Sequence, residues 1–503
     1  MFSQDIQARE KSEREENDLT KSVLDVTILA CNLHNKDQFL VDFEGSLDPF
    51  KPLNWSFKKK VLTTFLYALC TFGPQSASSI YGPVRTQISD QFDVSDEVST
   101  LGISLFLIGV GFGPMFFAPV SELYGRKVGV LIPFFISGIF ALGGATADNF
   151  QTIMIMRFFQ GMFGGAPIAN TGGVLGDIWA PAVRAHALVC YAFVVTGAPP
   201  LAPIIGAALR TTGSDAWRWT QYFTAIYTFV VGSIAFIFIP ETYHPVLLAQ
   251  KAKKMRFQTG NWAYHAKQDE IEFSVKELIT KHFVRPFALL ATPIVTAMST
   301  YGSFVFGILY LAVTAVPVEF NKVRGWDQLT ATLPNAAIFI GVVVGGVLNV
   351  LLGRKYTAML IKDPSTIIPE ERLVAMKVGC FLLPIGMLIF GWTSHPQYPW
   401  IAPIIGLIFT AAGFLTVFQG CINYLVDSFP RYAASAIAAT TFLRSCMAAA
   451  FPLFGTIMFD NVGVPWGSSI IAFVGLGMVP IPYIFYRFGS TLRSKNPYSK
   501  TVM

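Results

Sequence analysis

Two arginines stand where a cation is hardest to place. Arg157 lies inside an apolar stretch over 150–173, and Arg444 lies near the middle of another over 433–459. A guanidinium at such depth in lipid costs at least about 2.5 to 3.5 kcal/mol, so each needs a partner or a watery cavity. For each, two readings are open: a functional charge on a transport pathway, or a structural pairing with a neighbouring carbonyl or dipole. Carboxylates that would complement them are scarce, because Glu122, Asp177 and Asp427 all fall at the ends of apolar runs. A salt bridge, a helix cap or plain solvation serves there. Asp427 is the first choice for a proton carrier, since it adjoins the polar set Gln419, Asn423 and Tyr424. The six histidines are scattered over polar segments, and Cys31, Cys70, Cys190, Cys380, Cys421 and Cys446 lack metal-ligand spacing. With no His or Cys cluster and no paired carboxylates inside the apolar runs, neither an enzyme, a metal site nor a cofactor is expected.

The elements that must position these charges are read from composition. Of 503 residues 53% are hydrophobic and 14% charged, against roughly 25% charged in soluble domains, and the mean hydropathy is +0.51. Water is not the main solvent of this chain. The net charge of +6 is spread over short hydrophilic segments with no basic stripe, which gives no support for nucleic-acid binding. The N-terminus lacks the basic-then-apolar order of a cleaved signal peptide, so the first apolar span acts as the membrane signal.

Crossing a hydrocarbon core of about 30 Å takes about 20 helical residues. Six apolar runs of that length occur at about 61–80, 100–120, 128–147, 150–173, 185–209 and 222–240, and six more at about 287–316, 329–352, 374–393, 400–426, 433–459 and 464–488. The expected organisation is a tail over 1–57, a six-helix half over 58–240, a polar linker over 241–284, a second half over 285–488 and a tail over 489–503. Lys58, Lys59, Lys60, Arg126, Lys127, Arg184, the linker lysines, Arg354, Lys355, Arg431, Arg487 and Arg493 fall on one side, which the positive-inside rule assigns to the cytoplasm. Both termini are therefore expected inside, and a monomer in the lipid bilayer is expected. Gly125-Arg126-Lys127 is echoed by Gly353-Arg354-Lys355, and Asp177-Ile178-Trp179-Ala180-Pro181 by Asp427-Ser428-Phe429-Pro430. Internal repeats of six spans are what many secondary transporters are built from.

At the end of the second run the chain reads Gly113-Pro114, then Glu122-Leu123-Tyr124-Gly125-Arg126-Lys127. Glycine permits a tight turn, and Glu122 with the adjacent cations can make charge-assisted contacts that open and close between two states. The whole segment resembles the loop 2-3 signature of the major facilitator superfamily. Within that superfamily the chain is similar to the 12-span drug:proton antiporters, particularly fungal multidrug and polyamine transporters. Arg157-Phe158-Phe159-Gln160-Gly161, Trp217-Arg218-Trp219, Pro240-Glu241-Thr242-Tyr243 and the stretch from Tyr424 to Ser445 carry that likeness. The resemblance implies an all-α major facilitator fold of twelve helices in two pseudo-symmetric halves, and a role in proton coupling for Arg157, for which Asp427 and Arg444 are the further candidates.

The fifth run contains Gly197-Ala198-Pro199-Pro200-Leu201-Ala202-Pro203-Ile204-Ile205-Gly206. It resembles the antiporter signature of repeated Gly-Pro pairs, on which two halves could rock, with Ala198, Ala202 and Ala207 where that pattern has glycine. Pro199, Pro203 and Gly206 are accordingly gating candidates with Gly113, Pro114, Glu122, Gly125, Arg126 and Lys127. Candidates for the substrate cavity are Gln75, Gln160, Asn170, Tyr310, Asn335, Gln419, Asn423 and Tyr424. These are neutral, and a polyamine would require carboxylates to replace its lost hydration. The expected function is a proton-coupled exporter of small organic molecules such as drugs, toxins or secondary metabolites in a fungal plasma membrane. An importer or uniporter, a polyamine transporter and a transporter-like sensor are the alternatives.

Overall fold

The computed structural model describes residues 39–45, 48–211, 213, 215–270, 280–362, 368–496 and 498–499. The charged tail before residue 39, with Cys31, lies outside the described residues, as do linker residues 271–279. Among the described residues no strand forms beyond one isolated bridge, and long helices make up the fold.

Six helices come first: α1 Phe57–Ser79, α2 Asp96–Tyr124, α3 Arg126–Ala145, α4 Phe150–Ile178, α5 Pro181–Arg210 and α6 Ala216–Phe238. The second set is α7 Pro293–Pro317, α8 Asn335–Lys362, α9 Leu373–Trp392 and α10 Ile401–Ser428, followed by the run Ala433–Met478. That run is two helices meeting at Gly463, whose φ of 81° no helix admits. Its parts are α11 (433–462) and α12 (464–478), and Pro480–Lys495 follows α12. Local chemistry sets several starts. The Ser95 hydroxyl caps α2 through the Val98 amide, with Asp96 and Glu97 in the first turn to complement the helix dipole. Asn149 caps α4 through the Thr152 amide.

Prolines correct two expected boundaries. The span expected from 287 is broken, with a short helix Arg285–Leu290 ending before Thr292, because Pro293 disfavours helical geometry in the residue ahead of it. The span expected from 329 starts instead at Asn335, after a short helix Gln328–Thr332 and Pro334. Nine stretches among the described residues are long and apolar enough to cross a bilayer by length and composition. The count is below twelve because α11 and α12 run together, and because α1 and α4 carry polar residues that face inward, including Gln75, Ser76, Arg157, Gln160 and Asn170.

The described residues form two compact units. One holds the described residues before Trp55 with those of 243–270; Val41, Ala252 and Ala266 make its small core, and Leu40 pairs with His265. The other carries α1 to α12, while the helix His244–Thr259 belongs to the first. Its outward faces are apolar: α8 exposes Ile340, Val343, Val344, Val347, Val350 and Leu351. Such a stripe would be a liability in water and is the ordinary surface of a helix in lipid.

Within the first six helices the tightest pair is α2 with α4. A Cβ at Gly161 would lie 2.1 Å from the Phe106 carbonyl oxygen, and one at Gly109 would lie 2.2 Å from that of Phe158. Small residues here let two backbones meet without side chains between them. Between the two sets, α2 packs on α11 and α5 packs on α8. Since α2 and α8 are each second in their set, and α5 and α11 each fifth, these two contacts are one contact made twice with the partners exchanged. That is the pseudo-symmetry expected of the two halves.

Candidate functional site

Arg157 is buried to 1% exposure and is tied to three helices of the first half. Its Nε donates to the Gly102 carbonyl at 3.0 Å, and its Nη1 donates to the Ala77 carbonyl at 2.9 Å and to Gln160 Oε1 at 3.4 Å. The guanidinium also lies 4.6 Å from the Phe106 ring centre and 4.9 Å from that of Tyr81. No carboxylate among the described residues pairs with it, and its Nη2 has no hydrogen-bond partner. Arg444 in α11 has a different setting at 8% exposure. Its Nε has no hydrogen-bond partner, and no ion pair to it occurs among the described residues. It packs on aromatic faces instead, 4.6 Å from the centre of Phe306 and 5.4 Å from that of Phe418.

A cavity of about 140 Å³ opens between the halves at the ends of α1, α5 and α7. Ser79, Arg85, Pro203 and Arg210 line it from the first half, and Tyr310, Asn321, Lys322 and Gln328 from the second. At its inner side the Tyr310 and Ser78 hydroxyls meet across the halves at 2.9 Å. Arg85 bridges the halves as well, donating to Thr456 Oγ1 at 3.1 Å.

The opposite end carries the basic loops and a set of charged contacts. Gly125, at φ 100°, turns the chain between α2 and α3, and a Cβ there would lie 2.4 Å from Glu241 Oε2. Both conditions select glycine. Glu241 accepts hydrogen bonds from the Arg126 amide at 2.8 Å and the Lys127 amide at 3.1 Å, so a carboxylate caps the N-terminus of α3. The Arg126 side chain reaches the other way, to Asp177 at 3.1 Å and to the Ser121 hydroxyl at 3.0 Å. Glu122 does not pair with Arg126 or Lys127, the cations beside it in sequence. It takes Lys281 at 2.6 Å, from the segment Thr280–Val284 that leads towards α7, with His282 Nε2 at 3.8 Å. Burial holds the His282 imidazole below its ordinary pKa despite Glu122.

The profile of the Major Facilitator Superfamily matches residues 65–452. The chain belongs to that superfamily. It is 42% identical to the efflux pump bik6 of Gibberella fujikuroi, over 92% of this chain and 95% of the relative. It is 39% identical to the citrinin biosynthesis cluster MFS transporter mrr1 of Monascus ruber, over 92% and 93%, and 36% identical to the multidrug transporter FLU1 of Candida albicans, over 93% and 77%. Among solved structures, the E. coli xylose transporter XylE superposes with a TM-score of 0.60 at 16% identity, over 86% of this chain and 98% of that one. The human organic anion transporter MFSD10 gives 0.55 at 14%, over 85% and 99%. At such identities the likeness is one of fold. The protein is thus a multi-pass membrane transporter of small molecules with the major facilitator fold, and not an enzyme.

In this transporter the polar residues singled out in the sequence do not form one cluster. Gln75 donates to the Val195 carbonyl at 3.3 Å, and Asn170 to those of Phe117 at 3.2 Å and Ala166 at 3.0 Å. Gln419 accepts from Asn349 at 3.2 Å, while Asn423 is half-buried. Asn335 is fully buried with neither amide atom partnered, and Tyr424 is buried with an unpartnered hydroxyl against the Phe485 ring. Asp427 turns away from its sequence neighbours to Arg372 at 2.8 Å and the Tyr356 hydroxyl at 3.0 Å. In α5, the Pro199 carbonyl accepts from the Ser79 hydroxyl at 2.6 Å, and a Cβ at Gly206 would lie 2.3 Å from the Ile80 carbonyl oxygen. In α2, Gly113 faces Gly165, where a Cβ would come within 2.9 Å of the Gly165 Cα, and Pro114 is buried beside it. Sequence reasoning assigned no role to Glu241 or Lys281. Glu241 stood in a recognised segment, but nothing local marked Lys281 as the partner of a residue 159 positions away.

Proposed function

We propose that the protein is a proton-coupled exporter of small organic molecules, working by alternating access. The observation that carries this reading is the asymmetry of the two ends. A cavity lined by both halves opens at one end, while at the other Glu122 holds Lys281 of the linker just ahead of the second half, beside the Arg126–Asp177–Glu241 cluster of the first. A carrier must expose its site to one side at a time, and rocking of two repeats about a midplane site does this. Gly113, Pro114, Glu122, Gly125, Arg126 and Lys127 form the gate at the basic end, and Pro199, Pro203 and Gly206 form the bend in α5. Arg157 couples transport to protons by holding α1, α2 and α4 in one register. Asp427, fixed by Arg372, is a weaker carrier candidate than its sequence position suggested. The basic end lies in the cytoplasm of a fungal plasma membrane with both termini, the protein acts as a monomer, and the halves are 58–240 and 285–488. Export is supported by relatives named as an efflux pump and a multidrug transporter.

The test is uptake of labelled organic compounds into inside-out vesicles, with and without an acidic interior. Accumulation that needs the gradient, and that a correctly folded Arg157→Ala variant loses, is the expected result. Transport indifferent to the gradient would leave a uniporter, and accumulation only under the reversed gradient would leave an importer.

A further inference from the structure

The two buried arginines differ in one respect that bears on substrate. Arg157 makes three hydrogen bonds, to Gly102, Ala77 and Gln160, and leaves only its Nη2 unpartnered. Arg444 has rings on its faces and no protein acceptor at its Nε. A cation held in a dry interior without a counter-charge is an incomplete arrangement. Its surroundings say what would complete it. Phe306, Phe414 and Phe418 pack on one another with centres 5.5–6.0 Å apart, and Phe306 also meets Tyr310 at 5.5 Å. Tyr310 is at once a wall of the cavity and a neighbour of Phe306, which carries Arg444 on its face, so two side chains stand between the cavity and the guanidinium. The cavity wall carries Arg85, Arg210 and Lys322 and no aspartate or glutamate. Lys322 is answered by Asp460 and Arg210 by the Pro83 carbonyl, whereas Arg444 meets only rings and has no hydrogen bond or ion pair among the described residues.

We propose that Arg444, with the rings of Phe306 and Phe418, is the anchor for a small aromatic anion, a carboxylate or phenolate, entering from the cation-lined cavity. The carboxylate or phenolate oxygen accepts from the guanidinium, as charge-assisted pairs do, and its ring joins the phenylalanine cluster. A neutral compound leaves the guanidinium unanswered, and an organic cation meets Arg85 and Arg210 on the way with no carboxylate on the cavity wall to pair with. This rests on the transporter reading above but needs neither proton coupling nor export.

The experiment is equilibrium binding to the full-length protein in nanodiscs without any gradient, using 1-naphthoate, 1-naphthamide and 1-naphthylmethylammonium. Naphthoate is expected to bind at least tenfold more tightly than the amide, with the ammonium weakest. Arg444→Gln should lose at least tenfold for naphthoate and leave the amide unchanged, and Arg444→Lys should lose less. Equal affinity for acid and amide in the wild-type protein overturns the proposal even if a variant fails to fold, and so does an Arg444→Gln variant that weakens both equally. Naphthoate binding without gradient-driven transport would sink the exporter reading and leave the anion site standing.

Discussion

Replacing Glu241 by glutamine tests whether the turn at Gly125 is a latch. The carboxylate accepts from three amides: Arg126 at 2.8 Å and Thr242 at 2.8 Å on Oε1, and Lys127 at 3.1 Å on Oε2. A glutamine can keep its oxygen over the first two, but its NH2 then faces the Lys127 N–H, donor against donor. One hydrogen bond to a charged group is lost, worth about 1.5 to 3 kcal/mol. The negative charge at the start of α3 goes too, worth about 0.3 to 1 kcal/mol. At the lower end the sum is about 2 kcal/mol, which is about a 30-fold shift towards the opened turn. Hydrogen exchange read by mass spectrometry in nanodiscs follows the same amides. Peptides covering Arg126 to Gly129 should exchange about 30-fold faster in Glu241→Gln, with the rest of α3 near wild type. Gly125→Ala strikes the same contact from the other side, since its Cβ would lie 2.4 Å from Glu241 Oε2. The double variant should therefore be little worse than the worse single. Protection of these amides left within about threefold of wild type, which is under 1 kcal/mol, would refute the latch.

Two further outcomes are expected. Gly161→Ala places a methyl 2.1 Å from the Phe106 carbonyl oxygen and should cost about 1 to 3 kcal/mol in thermal stability in detergent, whereas Gly172→Ala, with nothing within 4 Å, should stay within about 0.5 kcal/mol. Asp48 accepts from the Glu44 and Phe50 amides, which with Lys251 hold its carboxyl below the ordinary value of 3.8. Its contribution is present above pH 3.8 and lost as pH falls through the depressed pKa, so limited proteolysis within 39–54 should increase only below about pH 4, and Asp48→Asn should show that sensitivity already at pH 7.

The twelve helices were legible because the bilayer demands the same apolar length at each crossing. The exceptions are local: Pro293 and Pro334 delay two starts, and no hydropathy pattern marks where a proline will break a helix already apolar on both sides. In the site, Gly125-Arg126-Lys127 was legible as a tight turn carrying charge, but its partners were not. Asp177 and Glu241 lie 51 and 115 residues from Arg126. Arg157 was legible as a buried charge, yet its partners are mainly backbone carbonyls, which every residue has and no sequence distinguishes. Asp427 is the converse case. It is next to Asn423 and Tyr424 along α10, but its carboxylate finds a guanidinium 55 residues away.

Where each charge sits bears on whether the halves can move. The backbone and amide acceptors of Arg157 lie on α1, α2 and α4 of the first half, and the rings that hold Arg444 lie on α7 and α10 of the second. A rigid rotation of one half against the other leaves both sets unbroken, so neither buried cation is stripped of its partners during the motion. The contacts that must break are of another kind. Across the interface Ser78 meets Tyr310, Ser104 donates to the Ala449 carbonyl, and the face of Gly111 lies against Ser445. A neutral hydrogen bond of this sort is worth about 1 kcal/mol net. The charged ties are Arg85 to Thr456 between the halves and Glu122 to Lys281, which joins the first half to the linker just ahead of the second; they stand near opposite ends, and Glu122 and Lys281 are open enough for water to replace them. Strong bonds within each half and weak or water-replaceable ones between them are what the rocking proposed here requires, and they make Ser78–Tyr310, at the inner side of the cavity, the bond whose loss should most directly favour the opposite state.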